Sequence, residues 1–411
     1  MSVPVAKAYI AEFEKMGFGM FIHWGLYSQL GKGEWVLFYN DTPETEYQKL
    51  KETFTAEDFD AEKIVLMAKN AGCKYIVLTA RHHEGFSLYD TCGLTEYDAV
   101  HSPAGRDLIK EYVDACNKHG IAPFFYHTTL DWHHPDFKDD FNKYLDYLIE
   151  SVKLLCTNYG KIGGIWFDGN WSNLQADWRE DELYGMIRKY QPEAIIVNNS
   201  GLDALGAVGH PELDVTTFEQ NDPKPLNREG MPKYLAVEKC ETINDHWGIG
   251  EFDINCKSPK QLIEALCNCR RVGANYLLNI GPTAQGGVDP YQEQVFAMIG
   301  KWTKVYGEAI YDVKPYPGYG MGDNFILKGK DALYLFFFRI SSAGGYHIKG
   351  GERYHGAYAF GNVNDKIKEI RWMDNQEVLD FAQNDDMLTV NATEFAYGIS
   401  TCVRVAKAVL E

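Results

Sequence analysis

The sequence lacks the excess of basic residues that is typical of proteins that bind nucleic acids or anionic membranes. Its 411 residues include 40 lysines and arginines against 58 aspartates and glutamates, so the formal net charge is −18. It also lacks an apolar run of membrane-spanning length, and its first twenty residues carry charges throughout, unlike a secretory leader. We therefore expect neither a nucleic acid nor a membrane as partner. The acidic net charge favours a neutral ligand over an anionic one.

Paired cysteine motifs are absent as well. The nine cysteines are an odd number scattered through apolar segments, and no CxxC occurs among them. Cys267 and Cys269 form only a CxC inside a helical pattern, which favours core packing over metal binding. We expect reduced thiols, no metal, no cofactor and a cytoplasmic location.

Short β-prone apolar runs alternate with stretches of helical period from residue 18 to about 282. This alternation is typical of parallel strands joined by crossover helices, and eight such strands close a (β/α)8 (TIM-type) barrel. The connections 201–212 and 220–233 are rich in Gly and Pro, so we expect the barrel to be irregular there. The eight runs are 18–25, 74–80, 121–127, 163–169, 194–200, 213–219, 234–242 and 275–281.

A different pattern follows the barrel. Segments such as "ALYLFFFRI", "EIRWMD", "DMLTVN" and "ISTCVRVAKAVL" are β-prone and separated by turn residues. Prolines 315 and 317 mark a junction. The sequence therefore predicts a catalytic barrel over residues 1–314 and a smaller C-terminal β-sandwich over residues 315–411.

Polar and aromatic residues end the predicted strands, where a barrel of this type forms its ligand site. Strand four ends in "IWFDG" with Trp166 and Asp168, and strand six ends at Glu219. An unpaired carboxylate directly after an apolar strand lowers the stability of the fold, so its presence there indicates a function. Histidines, amides and aromatic rings suit the hydroxyl rim and C–H faces of a sugar. Two carboxylates add the pair that retaining glycoside hydrolysis needs.

Six motifs together carry a family resemblance: "FGMFIHWGLYS", "GEW", "KYIVLTARHHEGFSLYDT", "DW" at 131–132, "IWFDG" and "LLNIGP". Over most of residues 9–315 the chain resembles glycoside hydrolase family 29, the retaining α-L-fucosidases. The resemblance implies an exo-acting α-L-fucosidase that acts on fucosylated oligosaccharides or glycoconjugates without a cofactor. It implies that Asp168 is the nucleophile and that Glu219, in "DVTTFE", is the acid/base. The fucose-binding residues it implies are His23, Glu34, Trp35, His82, His83, Tyr126 and Trp166.

Several alternatives stay open at this point. Glu238 and Glu241 flank the end of strand seven and are rivals of Glu219. An arginine that some relatives carry after strand five has no counterpart here, where Asn199 and Ser200 stand. His82 and His83 are adjacent, and adjacent strand residues point to opposite faces, which disfavours a shared metal.

The function also has alternatives. A lectin-like binding protein would use the same aromatic residues without turnover, and a retaining glycosidase of other specificity would use the same carboxylates. Loops at the pocket rim decide the linkage preference, which the sequence does not reveal. The chain is also compatible with a homo-oligomer.

Overall fold

The structure, a computed structural model, describes residues 2–40, 42–199, 205–342 and 356–411. Its chain divides into two compact units, Met1–Lys257 with Asn275–Ala297, and Ser258–Ala274 with Met298–Glu411. The domain boundary between residues 314 and 315 stays a prediction. Among the described residues, no helix combines the length and the apolar character needed to cross a membrane.

Eight parallel strands close a barrel in chain order, as the sequence predicts. Phe21, Val77, Phe124, Val197 and Leu277 lie in its buried core, because inward-pointing side chains fill a barrel of this size. The strands are β1 Phe18–Ile22, β2 Tyr75–Arg81, β3 Ala122–Thr128, β4 Gly164–Asp168, β5 Ile195–Asn198, β6 Val215–Glu219, β7 Ala236–Thr242 and β8 Asn275–Ile280.

The barrel is irregular where the sequence predicts irregularity. Strands β5 and β6 share only one register pair, Val197 with Val215. No helix forms over residues 205–212 or 220–233 of the described chain. Glycine and proline oppose regular helix, which accounts for the irregular course of these described residues.

The helices that follow the strands are amphipathic and capped. Asp60 and Asp107 accept hydrogen bonds from the third residue of their helices, which satisfies one free N–H at each start. The helices are α1 Ala8–Met16, α2 Val36–Tyr39, α3 Glu44–Tyr47, α4 Ala61–Ala71, α5 Leu108–His119, α6 Asp136–Asp139, α7 Phe141–Asn158, α8 Glu180–Tyr190, α9 Pro259–Arg271 and α10 Pro290–Tyr306. Short 3₁₀ helices span Leu26–Leu30, Gln48–Thr53, Asn170–Asn173 and Gly307–Ala309.

The C-terminal part forms two antiparallel sheets that share one core, which confirms the predicted β-sandwich. One sheet has the order β10-β13-β16-β15 and the other β14-β17-β12-β11-β9. Phe337, Phe360, Trp372 and Leu388 pack in the core from both sheets. The strands are β9 Lys314–Pro315, β10 Tyr319–Gly320, β11 Phe325–Lys328, β12 Ala332–Phe338, β13 Gly356–Gly361, β14 Ile367–Trp372, β15 Phe381–Asn384, β16 Met387–Ala392 and β17 Val403–Leu410.

Candidate active site

One cavity gathers most of the residues that the sequence singles out. It contains two carboxylates, three imidazoles, an amide and a set of aromatic rings, which matches the surface of a sugar. Of the residues predicted to act in the site, Glu34 is absent from the lining. The lining consists of Phe21, His23, Trp35, His82, His83, Tyr126, Trp166, Asp168, Trp171, Asn199, Glu219 and Trp247.

Asp168 is the last residue of β4 and is held by hydrogen-bond donors. Tyr126 Oη donates to Oδ2 at 3.1 Å, and Trp171 Nε1 donates to Oδ1 at 2.7 Å. His83 Nε2 lies 3.5 Å from Oδ2. Burial alone raises the pKa of Asp168, but the donors from His83, Trp171 and Tyr126 outweigh it and hold the pKa below its ordinary value. The carboxylate is therefore ionised near neutral pH.

Gly169 explains how the chain turns sharply after this carboxylate. Its φ is +119°, and a Cβ built there would lie 2.5 Å from the backbone N of Leu130. Only glycine fits this close approach and this backbone conformation. The "DG" of the motif is therefore a structural requirement for presenting Asp168 at the strand end.

His82 and His83 both line the cavity, which corrects the expectation that they face opposite sides. Strand β2 ends at Arg81 with a bulge between Thr79 and Arg81, so the alternation of a strand does not apply to the two histidines. Their ring centroids are 4.2 Å apart. Even so, no group of three or more His, Cys, Asp or Glu in the described parts of the chain is placed to hold a metal ion.

Hydrogen bonds to Nδ1 hold the rings of His83 and His23 in place. His83 Nδ1 lies 2.7 Å from Thr128 Oγ1, and His23 Nδ1 lies 2.7 Å from Asn279 Oδ1. Burial lowers the pKa of His23 to about 3, so its imidazole is neutral. A fixed neutral imidazole offers one defined donor or acceptor to a sugar hydroxyl.

Asn199 connects the two carboxylates of the cavity. Its Nδ2 lies 3.4 Å from Asp168 Oδ1 and 2.6 Å from Glu219 Oε2, while its Oδ1 accepts from Thr217 Oγ1 at 3.0 Å. The two carboxylate oxygens cannot be further apart than the sum of the two Nδ2 distances. That upper limit lies below the separation of about 6.5 to 9.5 Å in inverting glycosidases and allows the about 5 to 5.5 Å of retaining ones.

Glu219 differs from Asp168 in its protonation. Burial and the negative charge of Asp168 raise the pKa of Glu219 to about 7, although hydrogen bonds from Asn199 and Trp247 act in the opposite direction. Two neighbouring carboxyl groups with separated pKa values, one ionised and one able to hold a proton, are the pair that acid-assisted displacement requires.

Comparison with known proteins places this geometry in a family. Residues 4–308 match the family model described as alpha-L-fucosidase. The chain belongs to the α-L-fucosidase family. Within glycoside hydrolases this is family 29, so the chain is a glycoside hydrolase, and neither a lectin-like role nor another sugar specificity is favoured.

Individual α-L-fucosidases are similar to this family member in sequence and in structure. The structure of α-L-fucosidase isoenzyme 1 from Paenibacillus thiaminolyticus superimposes with a TM-score of 0.85 at 33% identity, covering 98% of this chain and 99% of that one. Human tissue α-L-fucosidase is 29% identical over 335 residues, 74% of this chain and 70% of its own length. A putative α-L-fucosidase of Caenorhabditis elegans is 26% identical over 333 residues, 74% of this chain and 67% of its own length.

The two rival glutamates lie outside the cavity lining of this family member. Glu238 points into the barrel core, where it accepts from Tyr75 Oη at 2.5 Å and from Trp166 Nε1 at 3.0 Å. Glu241 accepts from Tyr276 Oη at 2.7 Å and lies 3.3 Å from Lys239 Nζ. Glu219 is therefore the candidate whose carboxyl group shares the cavity with Asp168.

Glu34 lies behind the lining rather than in it. Its Oε2 accepts from the backbone N of Gly248 at 2.8 Å, and the side chain is buried. Burial raises the pKa of Glu34, while the Gly248 hydrogen bond opposes that shift. Asn279 Nδ2 also donates to the carbonyl of Trp247 at 2.7 Å. Glu34 and Asn279 thus anchor the loop that presents the Trp247 ring to the cavity.

Sequence reasoning missed three lining residues. Trp171 follows Asp168 by three positions, and the 3₁₀ turn after β4 returns its ring to the carboxylate, a signal that was readable in "DGNW". Phe21 sits in the barrel core of β1, and Trp247 lies in an irregular loop after β7 where no periodicity points to it.

Trp132 of the "DW" motif and His127, which follows Tyr126, both lie outside the cavity lining. Trp132 packs against Trp35 with ring centroids 5.1 Å apart but does not line the cavity. His127 faces away from the cavity, because its Nε2 lies 2.8 Å from Ser151 Oγ on α7. Of the two residues after strand five, Asn199 lines the cavity, and Ser200 lies outside the described residues.

Proposed function

We propose that this family member releases terminal α-L-fucose from oligosaccharides or glycoconjugates by double displacement at Asp168 and Glu219. Asp168 attacks the anomeric carbon as Glu219 gives its proton to the departing glycosidic oxygen. Glu219 then takes a proton from the water that hydrolyses the fucosyl ester. The bridging amide of Asn199 carries the proposal, because it holds one oxygen of each carboxyl group closer together than the spacing of an inverting enzyme.

The change of role of Glu219 follows from electrostatics. Burial, and after it the negative charge of Asp168, raise the pKa of Glu219 to about 7 in the free site. When Asp168 becomes an ester, that charge disappears and the pKa of Glu219 falls. A residue that begins as an acid therefore becomes a base for the second step.

Fucose recognition follows from the remaining lining. His23, His82 and His83 offer fixed imidazole nitrogens to the hydroxyl groups of the sugar, and Trp35 and Trp166 offer flat faces to its C–H groups. The neutral state of His23 suits an uncharged ligand.

Replacement of the nucleophile tests the proposal directly. Asp168→Ala should lower kcat on an aryl α-L-fucoside by about 10⁴-fold or more, because the covalent step is lost. Added azide should restore part of the rate and yield a fucosyl azide of inverted configuration, which NMR identifies. Wild-type-like turnover by Asp168→Ala would exclude Asp168 as nucleophile.

Replacement of the acid/base separates its role from that of Asp168. Glu219→Ala should lose about 10²- to 10⁴-fold in kcat/KM on a natural oligosaccharide, whose leaving oxygen needs a proton. The same variant should lose far less on α-L-fucosyl fluoride, whose leaving group needs none. Equal losses on both substrates would reject Glu219 as the acid/base and leave Glu238 and Glu241 as the candidates.

We also propose a cytoplasmic location and a homo-oligomeric state. All nine cysteines are free, six of them buried, which suits a reducing compartment. Cell fractionation with activity as the marker tests the location, since recovery in an extracellular or periplasmic fraction would exclude it. Sedimentation velocity determines the oligomeric state, and a single monomer species at micromolar concentration would exclude the oligomer.

A further inference from the structure

The barrel core next to the cavity contains a carboxyl group that the proposed mechanism does not use. Glu238 lies on β7, and its side chain is buried. Burial of a carboxyl group is unfavourable unless hydrogen bonds compensate for the lost hydration. The hydrogen bonds of Glu238 therefore indicate what the residue does there.

Both oxygens of Glu238 accept hydrogen bonds across the barrel interior. Oε2 accepts from Tyr75 Oη on β2 at 2.5 Å, and Oε1 accepts from Trp166 Nε1 on β4 at 3.0 Å. Burial raises the pKa of Glu238 to about 7, and these two hydrogen bonds oppose the rise. A carboxyl oxygen can accept from an indole N–H in either protonation state.

Trp166 is the partner through which Glu238 reaches the cavity. Trp166 lines the cavity, whereas Glu238 and Tyr75 do not. The indole stacks on Tyr126 with ring centroids 5.8 Å apart and planes at 17°, and it meets Phe21 edge to face at 5.2 Å. Stacking fixes the plane of the indole, and the hydrogen bond fixes the direction of its N–H within that plane. The two contacts together select one orientation of the ring.

The orientation of Trp166 also affects the nucleophile. Tyr126, on which the indole stacks, donates from Oη to Asp168 Oδ2 at 3.1 Å. Trp166 and Asp168 are two positions apart on β4. A displaced indole would therefore disturb both a surface of the cavity and one of the donors that keep Asp168 ionised.

We propose that Glu238 is a positioning residue that holds the indole of Trp166 in the orientation that receives fucose. This inference rests on the proposed function and assigns Glu238 a part in it other than that of acid/base. Glu238 does not line the cavity, so it contacts no reacting atom and acts through Trp166. Displacement of a substrate-positioning group by about 1 Å can cost about 10²-fold in rate.

Kinetics of Glu238→Leu test the inference, because leucine has no acceptor for the indole N–H. We expect kcat/KM to fall about 10- to 100-fold, and by the same factor on a fucosyl disaccharide and on α-L-fucosyl fluoride. Both substrates contain the sugar that Trp166 contacts, whereas loss of an acid/base depends on the leaving group. Glu238→Gln, whose amide oxygen can accept the same bond, should retain most of the rate. A loss confined to the disaccharide would identify Glu238 as the acid/base and overturn the inference.

The indole N–H resonance of Trp166 reports the hydrogen bond itself. Its ¹H–¹⁵N cross-peak is identified among those of the nine tryptophans by its loss in Trp166→Phe. The cross-peak should move upfield in Glu238→Leu, since a hydrogen bond deshields the proton, and an unmoved cross-peak would overturn the inference. In the Trp166→Phe background, Glu238→Leu should cost little further activity. An undiminished loss there would show that Glu238 does not act through Trp166.

Glu241 is a matched control on the same strand. It is buried and accepts from Tyr276 Oη at 2.7 Å, but neither residue lines the cavity. Glu241→Leu should lower the free energy of unfolding and leave kcat/KM unchanged on both substrates. An equal fall in kcat/KM in Glu241→Leu would assign the effect of Glu238→Leu to general destabilisation and overturn the inference.

Two further outcomes keep the test decisive. If Glu238→Leu does not fold, Glu238→Gln replaces it at pH 8.5, where a neutral amide is a weaker acceptor than an ionised carboxylate. The Trp166 cross-peak should then still move upfield, and coincidence with the wild-type cross-peak would overturn the inference. Wild-type protein inactive on both substrates would instead refute the proposed function, a result that the cross-peak position does not depend on.

Discussion

At the scale of single residues, one amide sets the relation between the two carboxyl groups. Asn199 donates toward both Asp168 and Glu219 and is itself oriented by Thr217. Its hydrogen bond lowers the pKa of Glu219 against the effects of burial and of Asp168. The same side chain therefore keeps the general acid from holding its proton too tightly.

Removal of this amide should move the pH profile. Glu219 must be protonated in the free enzyme, so kcat/KM should fall as the pH rises through its pKa of about 7. Asn199→Ala removes a hydrogen bond that favours the ionised forms, so we expect the pKa of both carboxyl groups to rise. Both limbs of the kcat/KM profile should shift to higher pH.

The neighbouring asparagine is the matched control. Asn198 Nδ2 donates to Tyr184 Oη on α8 at 2.9 Å and does not line the cavity. Asn198→Ala should leave both limbs of the pH profile in place even if it lowers stability. An Asn199→Ala profile that coincides with that of the wild type would show that the amide does not tune the pair.

At the scale of elements, a buried ion pair fixes the loop after β3. Arg81 at the end of β2 forms an ion pair with Asp131, and both side chains are almost fully buried. Asp131 Oδ1 also accepts from the backbone N of His133 at 2.8 Å and of His134 at 2.9 Å. The loop that carries Trp132 is therefore held by strand β2.

Breaking this pair should be costly. Asp131→Asn leaves the guanidinium of Arg81 buried without a countercharge, which costs about 3 to 5 kcal/mol of unfolding free energy. Urea denaturation followed by fluorescence measures the change. Asp114→Asn, which removes an exposed pair with Lys110, should leave the midpoint unchanged. Equal midpoints for Asp131→Asn and the wild type would contradict this account.

At the scale of the whole molecule, buried acids make the stability depend on pH. Burial raises the pKa of Glu84 to about 8, and its Oε2 lies 3.5 Å from Nδ1 of His82. The folded chain keeps the Glu84 proton where the unfolded chain has released it, so this contribution to stability is full below about pH 4.5 and is lost as the pH rises to about 8.

The window between pH 6.5 and 8 lies above the ordinary pKa of histidine, and Glu84→Gln separates Glu84 from other buried glutamates such as Glu219, whose pKa is also raised. Below it, buried histidines such as His23 have lowered pKa values and make stability rise with pH, which opposes the glutamates. Within the window the unfolding free energy should fall with pH, and Glu84→Gln should reduce that slope by up to about 1.4 kcal/mol per pH unit. Urea unfolding of both proteins at several pH values measures it. Identical slopes would show that Glu84 is ionised in the folded state.

Much of the fold and the content of the cavity was predictable from the sequence. Eight apolar runs alternating with helical segments determine the barrel, because parallel strands can be joined only by long crossovers. Since such a barrel places the carboxyl ends of its strands on one rim, Asp168, Glu219, His23 and Tyr126 converge whatever their loops do. The glycine- and proline-rich connections likewise determined the irregular β5–β6 contact.

Only the tertiary structure decided how the loops and inner layers contribute. Glu219, Glu238 and Glu241 all lie near the end of a predicted strand, so the sequence does not distinguish them. In the structure Glu219 lies in the cavity, Glu238 in the barrel core and Glu241 beside Lys239. Glu34 accepts a hydrogen bond from the backbone N of Gly248 in the Trp247 loop, and His82 and His83 both line the cavity because β2 ends before them, at Arg81. These outcomes depend on contacts between residues far apart in the chain, which local propensity and periodicity do not encode.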